Sequence, residues 1–521
     1  MAAFSFYRPF NGAQLFTVVC LPDGAGRCPM VLNRTPYADP EANCTDAELV
    51  ARRAAEARGL TTAGFGVVFQ HCRGHGKSDG EFIPYINERA DGTDLIQWVR
   101  ESPYYNGEIY LSGGSYNAAL WVAVAPFPED VKGLYLQVQD CDRYSCNYRN
   151  GMYKIGLHGG WTMGVTRPKG MLANKRWGDG LWNTLPARDI PEYALGVPEE
   201  NWLEILRHPD RDDPFWQSED NGAPQREAVM HCKLPILFVT GFYDIFVGGC
   251  MDVWRDLDPE TRARCALAIT PFDHSTGRNA SPYPFPGGEM SERFGDFVVN
   301  WFRSVRGECP PPVPPGKVSY YRLFDDVWDY RTDDLSGDTR EITFPLGEGE
   351  RTYKYNPYDP TPVIAGVSRV FGGAMKQKEP NYRHDVVSFL LPPFEEDLFI
   401  RGKMHARLRV RSDCEDTCFY VRVSLVREDI TLGLRDDIAQ ISNFAPDYRP
   451  GEELEMQFSF DEHALRVHKG ERLRVDVSSA AFPLYIRHTN LRGLYCDRTG
   501  ARIAENTVIA GLSELTVPVE I

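Results

Sequence analysis

Apolar residues in the first three hundred positions fall into short continuous runs separated by stretches with helical spacing. Asn11-Gly12 marks a hairpin turn between Ser5 to Arg8 and Leu15 to Leu21. Pro29 to Asn33, Gly66 to Gln70, Gly107 to Ser112, Gly133 to Gln137, Pro235 to Thr240 and Cys265 to Ile269 read as buried strands. Between them, Thr45 to Arg58 predicts an amphipathic helix capped by its threonine and ended by Gly59. Asp91 to Arg100, with Leu95, Ile96, Trp98 and Val99 facing inward, predicts another, and Gly288 to Arg303 a third that packs on the edge. Alternating strand and helix implies α/β architecture, a parallel sheet with helices on both faces.

The alternation stops after Gln137. The segment 141–232 is rich in Trp, Tyr, Arg and Pro, carries short helical patterns such as Asn201 to Arg207, and reads as a helical cap inserted into a sheet domain formed by 1–140 and 233–308. The proline run from Cys309 to Gly316 cannot enter a helix or central strand and reads as a stiff linker, 309–317. From 318 to 521 the period is two, as in Ala406-Arg407-Leu408-Arg409-Val410 and Arg472-Leu473-Arg474-Val475-Asp476-Val477. This predicts a β-sandwich with polar outer faces.

Length and composition narrow the class. A chain of 521 residues exceeds one compact core, and 42% hydrophobic with 12% aromatic residues excludes disorder. The net charge of −16 argues against nucleic acid and against an anionic membrane surface, and no apolar stretch reaches spanning length. The N-terminus lacks a basic region followed by an apolar run, so no secretion signal is read. Thirteen scattered cysteines fit reduced thiols in the cytoplasm better than a disulfide framework, and none has partners at zinc-finger spacing, so no metal is expected. The glycine-dense loop Arg73 to Phe82 matches neither phosphate-binding pattern and reads as structural; no cofactor is expected. A small-molecule substrate is the expected partner, with a homodimer left open.

The stretch Ile109-Tyr110-Leu111-Ser112-Gly113-Gly114-Ser115-Tyr116-Asn117-Ala118 runs from strand through a glycine pair into a small-residue helix start, the setting of a nucleophile elbow, although Asn117 stands where G-x-S-x-G has glycine. A serine hydroxyl needs a base, and the base an orienting carboxylate. Asp244 follows one later strand and His274 the next. Of eleven histidines, only His274 lies beyond that acid and still within the sheet domain. Asp273 is the rival acid, disfavoured by its adjacency to the histidine. The Tyr116 amide would supply one oxyanion donor; for the second, the Tyr37 phenol and a plain core aromatic at that position are equally open on the residues alone.

Arg34-Thr35-Pro36-Tyr37, Arg73-Gly74-His75-Gly76-Lys77-Ser78-Asp79-Gly80, the Gly-x-Ser-Tyr elbow, Gly241-Phe242-Tyr243-Asp244-Ile245-Phe246 and Pro271-Phe272-Asp273-His274 together resemble the CocE/NonD serine hydrolases. That group includes esterases, amino acid ester hydrolases and X-Pro dipeptidyl peptidases. The resemblance covers nearly the whole chain and implies an α/β-hydrolase domain, a helical cap and a C-terminal jelly roll. It implies a triad of Ser115, Asp244 and His274, and an oxyanion hole of Tyr37 and the Tyr116 amide. Ala118, Phe242 and Phe272 depart from the residues usual in the family. Where amine-reading relatives place carboxylates after the acid, this chain has Ile245 and Phe246, so Phe242, Ile245 and Phe246 are expected to form an apolar substrate pocket. The expectation is a serine hydrolase that cleaves an ester or amide bond of a small acyl substrate or short peptide through an acyl-enzyme, carboxylesterase-like in preference; the alternatives are an X-Pro dipeptidyl peptidase or acylase, and, in a different class, a catalytically silent binding protein.

Overall fold

The computed structural model describes residues 2–24, 26–167, 180–277, 281–332, 334–364 and 372–521. The chain starts with the hairpin of β1 (Ala2–Phe10) and β2 (Ala13–Leu21), where Asn11 and Gly12 both take positive φ, 45° and 74°, as a two-residue turn between twisted strands requires. After β3 (Cys28–Thr35), Thr45 caps α1 (Asp46–Glu56) in a capping box with Glu48. Gly59 does not stop the helical path: α2 (Arg58–Thr62) follows at once, and Gly64, at φ +88°, ends it. Gly59 instead makes room for a neighbour, since a Cβ there would lie 2.8 Å from the Asp296 carboxylate.

Next come β4 (Gly66–His71), α3 (Glu88–Glu101), β5 (Tyr105–Gly114), α4 (Tyr116–Val122) and β6 (Val131–Gln137). The inserted cap contains α5 (Arg143–Asn147), a ribbon of β7 (Tyr148–Arg149) and β8 (Met152–Tyr153), and a π-helical turn at Ile155–Gly159 that leads into α6 (Gly160–Thr166). It ends with α7 (Ile190–Leu195), α8 (Glu200–Arg207) and α9 (Ala223–Met230). The sheet resumes with β9 (Ile236–Gly241), α10 (Val247–Asp256), α11 (Pro259–Arg262) and β10 (Ala266–Thr270). The expected single helix from Gly288 is two, α12 (Met290–Phe294) and α13 (Phe297–Val305), broken where Gly295 takes φ +64°.

The proline run does not close the sheet. Beyond it, β11 (Val318–Arg322) pairs parallel with β10, and β12 (Val327–Arg331) adds antiparallel, so two strands expected in the sandwich extend the sheet to the order β1-β2-β4-β3-β5-β6-β9-β10-β11-β12. Period-two alternation identifies a strand without saying which sheet it joins. From β4 to β11 all neighbours are parallel, and β9 and β10 are buried along their whole length, because helices cover both faces.

The remaining strands pair antiparallel in a sandwich. A four-stranded sheet (Val387–Leu390, Arg472–Ser478, Cys418–Arg427, Ile430–Gln440) packs on a larger one that includes His405–Ser412 and Glu514–Glu520. The sandwich is welded to the sheet domain. Leu323 N–H donates to Ala464 and its carbonyl accepts from Arg466, both at 2.9 Å, and one apolar core runs through both units. Most cap aromatics, among them Tyr148, Tyr153, Trp202 and Trp216, bury themselves against sandwich residues such as Tyr420 and Leu484. Trp161 alone among the large cap aromatics described belongs to a cluster with α4.

Candidate active site

Ser115 sits between β5 and α4 at φ 57° and ψ −130°, a strained conformation for a residue with a side chain. Its N–H donates to the Gln137 carbonyl at 2.8 Å, and its own carbonyl accepts from the amides of Ala118 and Ala119. The sharpness of this turn dictates Gly113: a Cβ there would lie 2.3 Å from the Asn117 carbonyl, so helix and strand backbones meet across it.

The loops after β9 and β10 are clipped together, Phe242 N–H to Thr270 at 2.8 Å and Tyr243 N–H to Phe272 at 3.0 Å. This brings Asp244 to His274. Asp244 Oδ1 lies 2.8 Å from His274 Nδ1, and Nε2 of the same ring lies 2.9 Å from Ser115 Oγ. The other carboxylate oxygen accepts from the Thr240 hydroxyl at 2.7 Å. A carboxylate only accepts, so Nδ1 carries the ring proton and Nε2 is left to accept from the serine hydroxyl. Asp244 is fully buried and His274 nearly so. Asp273 faces elsewhere, accepting from the amides of Ser275 and Gly372.

Tyr116 opens α4, in the turn where no helical carbonyl is available to its N–H, so the amide next to the serine is uncommitted by the helix. Its side chain has a separate duty. The phenol donates to Glu88 at 3.1 Å and accepts from the Tyr85 amide at 2.7 Å. Glu88 in turn meets Arg34 at 3.1 Å, and Arg34 and Arg73 both hold Asp91, in a buried ionic network under the elbow. Burial pushes the Glu88 carboxyl above its ordinary range, against the pull of Arg34.

Tyr37 is 43% exposed, which excludes the core reading, and its hydroxyl oxygen accepts from Trp161 Nε1 at 3.0 Å. The indole proton occupies one lone pair of that oxygen. Trp161, stacked on His158, lines a cavity of roughly 30 Å³ together with Ser115, Tyr116, His274, Ile245 and Phe246. Ile245 and Phe246 therefore face the same cavity as the serine. Phe242 does not: it is fully buried in the seam with the sandwich, its ring edge-on to His463 at 5.5 Å and its carbonyl accepting from Arg435. Sequence reasoning missed Trp161, His158, Tyr85, Gln139 and Thr240. Only Thr240, four residues before the acid, had a local signal. Among the described residues no group of three or more His, Cys, Asp or Glu side chains is placed to hold a metal ion, and no helix is long and apolar enough to cross a membrane.

A parallel sheet with a serine at its elbow, an acid and a histidine after two later strands, and a cap inserted between β6 and β9 defines an α/β-hydrolase. Residues 11–276 match the family of X-Pro dipeptidyl-peptidases (S15 family), and residues 313–512 match the X-Pro dipeptidyl-peptidase C-terminal non-catalytic domain. The chain belongs to the S15 family and is a hydrolase of the serine type. It is 25% identical to the cocaine esterase of Rhodococcus sp. (strain MB1 Bresler), over 93% of this chain and 91% of that one. In fold it is similar to an aminopeptidase from a marine sediment Thaumarchaeota archaeon (TM-score 0.83, 18% identity, covering 100% of this chain and 96% of that one). An α-amino acid ester hydrolase gives a TM-score of 0.80 at 20% identity, with the same coverage. A CocE/NonD family hydrolase from Staphylococcus aureus gives 0.63 at 14%, covering 99% and 92%.

Proposed function

We propose that the protein is a carboxylesterase that cleaves small acyl esters through an acyl-enzyme. Ser115 Oγ attacks the ester carbonyl as its proton passes to His274 Nε2, and Asp244 stabilises the resulting imidazolium. The Tyr116 amide and the Tyr37 hydroxyl, whose oxygen accepts from Trp161, stabilise the oxyanion. Collapse expels the alcohol, which takes the proton from His274. Water then repeats the sequence, breaking the Ser115 acyl bond and releasing the acid.

The unbroken relay from Thr240 through Asp244 and His274 to Ser115 Oγ carries this reading. An ester rather than an amine-bearing peptide is supported by the cavity at Ser115, in whose described lining there is no carboxylate to pair with an ammonium. Turnover of a p-nitrophenyl ester and of an X-Pro p-nitroanilide, each per active site titrated with a fluorophosphonate, tests it. The ester is expected to be faster and Ser115→Ala to be unlabelled. Faster cleavage of the anilide would favour the dipeptidyl peptidase, and labelling of Ser115→Ala would remove the serine from the chemistry.

A further inference from the structure

The cavity at the serine does not end there. Tyr85, Ala119 and Gln139 line it and also line a second, larger chamber of about 130 Å³. This chamber follows α4 past Val122 and Ala123 and ends under the cap at Asn221 and Gln225; His274 reaches only the first. The leaving group must stay beside His274 to receive its proton, so the chamber that runs away from His274 falls to the acyl group.

Tyr85 forms the wall between the two. It is a bulky residue at φ +72°, held there by its N–H bond to the Tyr116 phenol at 2.7 Å, by edge-on contact with the Tyr116 ring at 5.0 Å, and by the Arg143 guanidinium 4.4 Å from its ring centre. Left-handed backbone at such a side chain persists only where surrounding contacts impose it, and such strain gathers at ligand sites.

At the far end, Gln225 on α9 is 4% exposed, and its Oε1 accepts no hydrogen bond among the described residues. A buried amide oxygen without a donor is rare and unfavourable, and a donor on a bound ligand would satisfy it. The carboxylates of the chamber are already matched by cations, Asp142 by Arg211 at 2.8 Å and Glu219 by Arg89 at 2.5 Å. A neutral donor suits the site better than an ammonium.

We propose that this chamber is an acyl subsite for esters whose acyl group has an apolar body of about six carbon atoms, by comparison with a cavity of about 150 Å³ that holds benzene, and ends in a neutral donor such as a hydroxyl given to Gln225 Oε1. The proposal rests on the hydrolase reading of Ser115.

The test compares kcat/KM for p-nitrophenyl acetate, hexanoate and 6-hydroxyhexanoate, using ratios within each variant so that any loss of folded enzyme cancels. In the parent, hexanoate is expected to exceed acetate by roughly tenfold or more, and the hydroxylated ester to exceed hexanoate by roughly tenfold. Ala123→Phe, which fills the chamber, should bring hexanoate down toward acetate. Gln225→Leu should erase the advantage of the hydroxyl and keep that of the chain. Unchanged ratios in both variants, with turnover still abolished by Ser115→Ala, would overturn the chamber and leave the hydrolase reading standing. Turnover of all three esters by Ser115→Ala at the parent rate would instead overturn the reading beneath it.

Discussion

Replacing Asp244 with asparagine separates an orienting carboxylate from a merely structural one. The carboxylate accepts twice, from the Thr240 hydroxyl at 2.7 Å and from His274 Nδ1 at 2.8 Å, in a fully buried setting. A carboxamide of the same shape accepts on one side and donates on the other. With its oxygen toward Thr240, its N–H2 faces Nδ1, which must then accept, and the ring proton moves to Nε2. There it meets Ser115 Oγ, 2.9 Å away, and the ring no longer takes the serine proton. Loss of the working tautomer is worth about 10⁴ in kcat, equivalent to about 5.4 kcal/mol of transition-state stabilisation. The fold should change by only about 1 kcal/mol, since both hydrogen bonds are re-made. Single-turnover acylation with an aryl ester, on sites titrated for folded enzyme, reads the first number; urea unfolding reads the second. An Asp244→Asn variant that acylates within tenfold of the parent, or one that loses stability in place of rate, would refute the reasoning.

The Trp161 contact predicts a graded pair: Tyr37→Phe should lower kcat by roughly 10²–10³ by removing an oxyanion donor, whereas Trp161→Phe should lower it about tenfold by leaving the phenol less well aimed. Equal effects on kcat, or an effect of Tyr37→Phe confined to KM, would count against that geometry. Arg149 bridges the cap ribbon to Asp437 at 2.7 Å and Asp461 at 2.9 Å in the sandwich; Arg149→Met leaves the buried Asp437 uncompensated and should destabilise by about 3 kcal/mol, a loss that Asp437→Asn should partly restore in the double variant. Burial pushes His71 down to about 4, despite the Glu41 carboxylate 3.0 Å from it. Because the folded value is depressed, the unfolded chain protonates first as pH falls, and stability present above about pH 6.5 is lost toward pH 4 by about 3 kcal/mol. Urea midpoints across that window should fall less steeply for His71→Gln than for the parent; equal slopes would remove His71 as the cause.

Much of this architecture is written in short-range signals. Asn11-Gly12 fixes a hairpin because two consecutive residues must take positive φ, and Thr45 with Glu48 fixes a helix start because each satisfies the other's backbone donor. Ser115, Asp244 and His274 could be picked out from order alone, since each follows a strand in a parallel sheet, and they stand within hydrogen-bond distance of one another. Tertiary structure decided what depends on partners far along the chain. Trp161 meets Tyr37 across 124 positions, and no local pattern couples them. Phe242 and Phe246 are alike in composition, yet one fills the seam against His463 and the other faces the serine, because side-chain direction after a strand is set by the neighbouring loop. The strand after the proline run joins the sheet because the edge of β10 was open to it, which its own alternation does not encode. The cap aromatics turn mostly to the sandwich, and the chamber beyond Tyr85 exists only where α4, α9 and a strained tyrosine converge. Periodicity specifies which residues are buried, and only the packed neighbours specify against what.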